Sequence, residues 1–113
     1  ADQLVSAAIA YAELRAALAT ALRVGRIAPD ERDTYRESAE ELWAAVNQVP
    51  VEVELIRRAG NLAELYGLRG YDAVHLAALQ ASGDPGEIVF ACWDRALRRA
   101  AGGLGYELLP ASL

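Results

Sequence analysis

Apolar residues recur at helical spacing along the first part of the chain, and glycine and proline mark where each pattern stops. The first helical pattern follows Leu4 and Val5, which end a short strand, and Ser6, which can act as its N-cap. It stops at Gly25. A second helix is predicted from Pro29, because proline suits the first helical turn and the acids after it suit the positive end of the dipole.

The middle of the chain is predicted to hold two further helices. A short extended segment, Val49–Val51, leads into a helix over residues 52–66 that ends at Gly67. Residues 67–79 read GLRGYDAVHLAAL, an alanine- and leucine-rich run typical of a buried helix. The turn sequence SGDPG over residues 82–86 breaks it.

The last part of the chain is predicted to place a helix between two strands. Residues 87–93, EIVFACW, form an apolar run of strand length, Asp94 caps a helix over residues 95–101, and residues 106–109 form the final strand. Helices thus alternate with short apolar strands, which predicts an α/β fold with a parallel sheet covered on both sides. Ligands of such sheets bind at the carboxyl ends of the strands, where Asp94 is expected to lie.

Composition narrows the class of protein. With 113 residues, 54% of them hydrophobic, the chain can bury one core and is predicted to form a single domain. Cys92 is its only cysteine, and the sequence shows neither a signal peptide nor an apolar span of about 20 residues. We therefore expect a cytoplasmic protein with no membrane partner. The net charge of −5 means that contact with nucleic acid would need a local basic patch.

Three acids interrupt apolar surroundings: Glu13 in AIAYAELRAAL, Asp72 in GYDAVHL and Asp94 in FACWDRAL. Each has a purely structural explanation, because Glu13 can pair with an arginine, Asp72 can favour a helix dipole and Asp94 can cap a helix. A hard divalent cation, however, also needs several oxygen ligands gathered from distant points of a chain. The spacing alone leaves both interpretations open.

Polar residues near these acids suggest supporting roles. His75, the only histidine, lies one turn after Asp72, and a packed, hydrogen-bonded position beside the acids is favoured over a role as metal ligand. Arg95, Arg98 and Arg99 form an i, i+3, i+4 patch that could contact phosphates or simply form a solvated helix face.

Three stretches together resemble a known family. In order and spacing, YAELRAAL, YDAVHLAAL and FACWDRALRRAAGGLGYELLP resemble the second, third and fourth acidic motifs of PIN-domain ribonucleases, particularly the VapC-type toxins of bacterial toxin–antitoxin pairs. The similarity covers essentially the whole chain. The YDAxHLA and xxWDRxL patterns are fairly specific when they occur together.

The resemblance implies a three-layer α/β/α fold with a central parallel sheet and the activity of a metal-dependent endoribonuclease toxin. It assigns Glu13, Asp72 and Asp94 to the motif positions, as catalytic acids that hold Mg²⁺ or Mn²⁺. It further implies cleavage of RNA by a metal-activated water, neutralisation by a cognate VapB-type antitoxin, and a homodimer. Under this interpretation, His75 steadies the wall of the cleft that Asp72 faces.

Two departures from the family pattern lead to further expectations. The family has an earlier strand that carries an aspartate in a motif similar to LDTSAL, so this strand and its metal ligand are expected before Ala1. Residues 1–113 would then be an N-terminally incomplete PIN-like domain. Where the family often has threonine or serine, Cys92 is a poorer partner for a water or metal oxygen, although we interpret it mainly as a small core residue. The alternative function is a catalytically incompetent PIN-like module that binds a partner protein.

Overall fold

A computed structural model describes residues 4–92 and 94–112, and the chain divides into two compact units, Ala1–Gln48 and Val49–Leu113. No helix in these described ranges is long and apolar enough to cross a membrane. In chain order the elements are β1 (Leu4–Ala7), α1 (Ala10–Arg23), a 3-10 helix (Pro29–Glu31), α2 (Arg32–Ala44), β2 (Val46–Val49), α3 (Val53–Tyr66), α4 (Gly70–Ser82), β3 (Val89–Ala91), α5 (Arg95–Gly103) and β4 (Glu107–Leu109).

The start of α1 differs from the prediction. The expected N-cap at Ser6 is wrong, because Ser6 lies inside β1, which pairs with β2 in a two-stranded sheet. Ile9 occupies the N-cap position instead, without a side-chain cap. The predicted stop is confirmed: Gly25 follows the helix with a φ of 77°, in the left-handed region that favours glycine.

Polar and aromatic contacts join α1 to α2. The Tyr11 hydroxyl donates to Oε1 of Glu40 at 2.6 Å, and Nη1 of Arg15 donates to the same oxygen at 3.2 Å. The rings of Tyr11 and Trp43 lie 5.6 Å apart, centre to centre, at 52°. Neither helix has a buried residue among those described. These contacts, rather than a packed core, therefore define the helix pair.

The core of the second unit is built on α3 and α4. Leu55, Ala59 and Leu62 form a buried stripe on α3 at helical spacing. The helix ends at Gly67, as predicted, with a φ of 66°, and the Leu68 amide closes the end by donating to the carbonyl oxygen of Ala63. Helix α4 is buried on most sides, as its apolar sequence predicts; its buried residues are Asp72, Ala73, Val74, Leu76, Ala77, Ala78 and Leu79.

Strands β3 and β4 lie on either side of α5 in the sequence and pair in parallel, with Phe90 opposite Leu108. The parallel pairing expected from the alternating elements is thus confirmed. Strand β3 is shorter than the predicted run over residues 87–93, because Glu87 belongs to a turn in which its amide donates to the carbonyl oxygen of Asp84 at 2.9 Å. The end of that run, Trp93, lies outside the described residues.

Candidate active site

Two of the predicted acids, Asp72 and Asp94, contact the same guanidinium. Arg69 donates from Nε to Oδ2 of Asp72 at 3.0 Å and from Nη2 to Oδ2 of Asp94 at 2.9 Å. Asp72 lies in the first turn of α4, and Asp94 is the N-cap of α5. The second unit therefore brings these two acids together, at helix N-termini whose dipoles favour negative charge.

The three side chains differ in their access to solvent. Asp72 is 10% exposed, Asp94 is 33% exposed and Arg69 is 65% exposed. The hydrogen bond to Asp72 raises the pKa of the Arg69 guanidinium, and the negative charges of Asp72 and Asp94 add to this effect. The two carboxylates are thus largely shielded from water, whereas the Arg69 side chain is largely exposed to it.

Asp94 uses its two carboxylate oxygens for different contacts. Oδ1 accepts a hydrogen bond from the Leu97 amide at 2.9 Å, which confirms the predicted N-cap. Oδ2 contacts the Arg69 guanidinium. The capping and cation-binding interpretations of Asp94 are therefore compatible, because each uses a separate oxygen atom.

Glu13 and His75 are the remaining predicted site residues of this group, and they differ in position and exposure. Glu13 is exposed in the first turn of α1, in the first unit, and its convergence with the aspartates stays a prediction. His75 is half-buried on α4, one turn after Asp72. Over residues 4–92 and 94–112, no group of three or more His, Cys, Asp or Glu side chains is arranged to hold a metal ion.

Two carboxylates still suit a hard cation that works together with a substrate. Magnesium usually keeps several waters and binds through one or two carboxylates plus substrate phosphates, rather than in an all-protein cage. Asp72 and Asp94 supply two anionic oxygen donors that already meet at a cation. The donor set therefore fits Mg²⁺ or the chemically similar Mn²⁺.

The predicted arginine patch needs a correction. Arg95 and Arg99 are exposed on α5, but Arg98 is only 8% exposed, and its Nη1 donates to the carbonyl oxygen of Cys92 at 2.9 Å. Arg98 is buried on α5 like Leu97, and its guanidinium reaches the residue that follows β3. The exposed patch is reduced to Arg95 and Arg99.

Cys92 lies next to this contact as a buried, free thiol. Its amide donates to the carbonyl oxygen of Leu109 at 2.9 Å, which continues the pairing of β3 with β4 beyond the strand end. Burial raises the pKa of the Cys92 thiol, which disfavours the reactive thiolate. This environment supports the interpretation of Cys92 as a core residue rather than a nucleophile.

Replacing Arg98 by alanine is expected to lower the free energy of unfolding by roughly 1–3 kcal/mol, because the Cys92 carbonyl oxygen loses a buried donor. Urea denaturation followed by circular dichroism measures the loss. The matched control is Arg99→Ala on the exposed side of α5, for which we expect a change within about 0.5 kcal/mol. Equal losses in the two variants would contradict a structural role for Arg98.

Arg69 was not among the site residues predicted from the sequence. A signal was present, since an arginine three residues before Asp72 can contact it across one helical turn. Nothing in the spacing indicates that the same guanidinium also reaches Asp94, because that contact depends on how α5 packs beside α4.

Comparison with known proteins decides the family. A family model described as the PIN domain matches residues 1–103. The chain belongs to the PIN-domain family. The resemblance seen in the motifs is thereby confirmed, and so is the α/β fold class.

Curated relatives resemble this PIN domain along nearly its whole length. They include Ribonuclease VapC45 of Mycobacterium tuberculosis (strain CDC 1551 / Oshkosh) and Ribonuclease VapC49 of Mycobacterium tuberculosis (strain ATCC 25618 / H37Rv). Each is 42% identical over 112 residues, which cover 99% of this chain and 77% of the relative. No solved structure matches the chain significantly.

Proposed function

We propose that this PIN domain is a divalent-metal-dependent endoribonuclease toxin of a type II toxin–antitoxin pair. The observation that carries the proposal is the meeting of Asp72 and Asp94 at one cation, at the N-termini of two helices. The names of the relatives support a ribonuclease activity. Together they favour hydrolysis of RNA phosphodiesters at this pair of carboxylates.

Asp72 and Asp94 would hold Mg²⁺ or Mn²⁺ through their carboxylate oxygens. When bound, such an ion supplies a Lewis acid that lowers the pKa of water and offsets charge on the phosphodiester. The burial of Asp72 on α4 restricts its carboxylate, and the bond from the Leu97 amide orients that of Asp94. We further propose that Glu13 joins this set as the third catalytic acid.

Arg95 and Arg99 would contact the RNA backbone. Both are exposed on α5, whose N-cap is Asp94, so their positive charges lie on the same helix as one of the acids. A chain with a net charge of −5 gains little from non-specific attraction to RNA and depends on such local positive groups. Phosphate contacts of this kind position RNA without selecting a sequence.

Protein partners follow from the same proposal. A cognate VapB-type antitoxin would neutralise the enzyme in the cytoplasm, and the active protein would be a homodimer. Apolar side chains exposed on α3 support contact with a protein: Val53 is 73% exposed, Ile56 46% and Leu65 73%. Light scattering of the purified protein, alone and after co-expression with the antitoxin encoded beside it, tests both assemblies.

The central test is cleavage of RNA by the purified full-length protein. We expect cleavage in Mg²⁺ or Mn²⁺, none in excess EDTA, and recovery when the ion is restored, because the carboxylates alone supply no Lewis acid. Single-stranded DNA of the same sequence serves as the control for substrate class. A folded protein that cuts no RNA with either ion, yet binds its antitoxin, would favour the alternative of a catalytically incompetent PIN-like binding module.

A further inference from the structure

Arg69 occupies the position between the carboxylates where the proposed function requires a divalent cation. Two different nitrogens of its planar guanidinium reach the two acids, at 3.0 Å from Asp72 and 2.9 Å from Asp94. Both contacts are made with Oδ2 atoms, and Oδ1 of Asp94 already accepts from the Leu97 amide. A metal ion held by these two Oδ2 atoms would therefore compete with the guanidinium.

We propose that Arg69 is a resident cation of the metal-free site, which holds Asp72 and Asp94 together until a divalent ion displaces it. The inference rests on the proposed function, because it assumes that these carboxylates bind the metal. Two carboxylates close to each other repel, and one guanidinium bonded to both relieves that repulsion. The folded site would thus be formed before any metal binds.

The position of Arg69 allows this exchange. Its side chain is 65% exposed, so water screens its ion pairs and the guanidinium can leave without disturbing the core. Its Cζ atom lies 5.7 Å from the centre of the exposed Tyr71 ring, a contact by which a displaced guanidinium can remain beside the site. Asp72 is held by its burial on α4, so the movement falls on the arginine.

Competition between Arg69 and the metal ion predicts that the wild-type protein binds metal with a weakened apparent affinity. When only part of the population is competent to bind, the apparent dissociation constant rises by the inverse of the competent fraction. If the guanidinium holds the acids in about nine molecules of ten, its removal tightens Mn²⁺ binding about tenfold. The metal-free protein should also melt at a lower temperature without this cation, by about 2–5 °C.

Titration of the EDTA-stripped full-length protein with MnCl₂, followed by calorimetry, tests the proposal. Arg69→Gln keeps a long polar side chain but removes the charge, and we expect it to bind Mn²⁺ about tenfold more tightly than the wild type. Arg57→Gln, exposed on α3, makes the same change in net charge and should leave the affinity unchanged. The binding heat that is lost in Asp72→Asn, relative to the wild type, identifies the binding of Mn²⁺ at this site.

The outcomes separate the two proposals. Wild-type protein that binds Mn²⁺ at the Asp72 site, with an affinity that Arg69→Gln leaves unchanged or weakens, would overturn the resident-cation role while the proposed function stands. If neither protein binds Mn²⁺, the proposed metal site itself fails. If Arg69→Gln does not fold, Arg69→Lys replaces it in the test, because lysine keeps the positive charge but offers only one nitrogen. We expect Arg69→Lys to bind Mn²⁺ more tightly than the wild type, by less than about tenfold. Wild-type affinity in this variant would overturn the proposal.

Discussion

Replacing either Asp72 or Asp94 by asparagine is expected to slow metal-dependent RNA cleavage by roughly 100-fold or more while the protein stays folded. Asparagine keeps the size of the side chain and one acceptor oxygen, but it removes the negative charge that a hard cation requires of its ligand. Single-turnover cleavage at saturating Mg²⁺ measures the loss. Circular dichroism and thermal melting of each variant establish that the fold persists.

Asp94 offers an internal control, because its structural and chemical roles use different atoms. Asparagine caps a helix about as well as aspartate, so Asp94→Asn should retain the bond from the Leu97 amide and the stability of α5. Asp94→Ala removes the cap as well and should cost a further 0.5–2 kcal/mol or so of unfolding free energy. Cleavage that survives in Asp94→Asn but is lost in Asp94→Ala would show that only the cap matters.

A substitution of His75, which lies on the same helix as Asp72, tests whether the histidine is as important for cleavage as the acid. It is half-buried one turn after Asp72, and we expect His75→Ala to reduce cleavage less than Asp72→Asn does. If His75→Ala were equally damaging without loss of fold, the histidine would have to be counted among the residues that contact the metal or the RNA.

Local rules predicted much of the second unit. The stop of α3 at Gly67 and the cap of α5 by Asp94 depend on atoms within a few residues, so the sequence carries them directly. The buried helix α4 follows from its continuous apolar run. The parallel pairing of β3 with β4 follows from the helix between them, because parallel neighbours need such a crossover.

The errors occur where one helix or strand contacts another. Ser6 was a reasonable cap by residue type, but β1 pairs with β2, about forty positions further along, and the backbone of Ser6 is used in that strand. Arg98 shares a helix face with Arg95 by spacing, yet it turns to the Cys92 carbonyl at the end of β3. Both contacts are tertiary, and residue preferences alone do not encode them.

In the candidate site, too, some residues could be identified from the sequence and others depended on packing. Asp72 and Asp94 could be identified as chemically important from the sequence, but their shared partner Arg69 could not, because only the packing of α5 beside α4 brings Asp94 within reach. For Glu13 the sequence motif remains the sole ground for including it, and its role stays a prediction.

The helix that carries Asp72 is also expected to dominate the stability of the second unit. Leu76 lies one turn beyond Asp72 on α4, is 0% exposed, and is the largest fully buried side chain in the described residues. Its neighbours on the helix include Ala73 and Ala77, both also 0% exposed, which are too small to fill the space that a missing leucine leaves. A substitution at this position should therefore open a cavity.

Leu76→Ala is accordingly expected to lower the free energy of unfolding by about 2–5 kcal/mol, measured by urea denaturation. That is a large part of the roughly 5–15 kcal/mol that stabilises a typical domain. Leu42→Ala on α2 makes the identical chemical change at a residue that is 54% exposed, and it should cost less than about 0.5 kcal/mol. Similar small losses in both variants would contradict the placement of α4 in the core. The two variants on α4 also distinguish an effect on stability from an effect on catalysis. Leu76→Ala would lose RNA cleavage only as the protein unfolds, whereas Asp72→Asn would lose it with the fold intact.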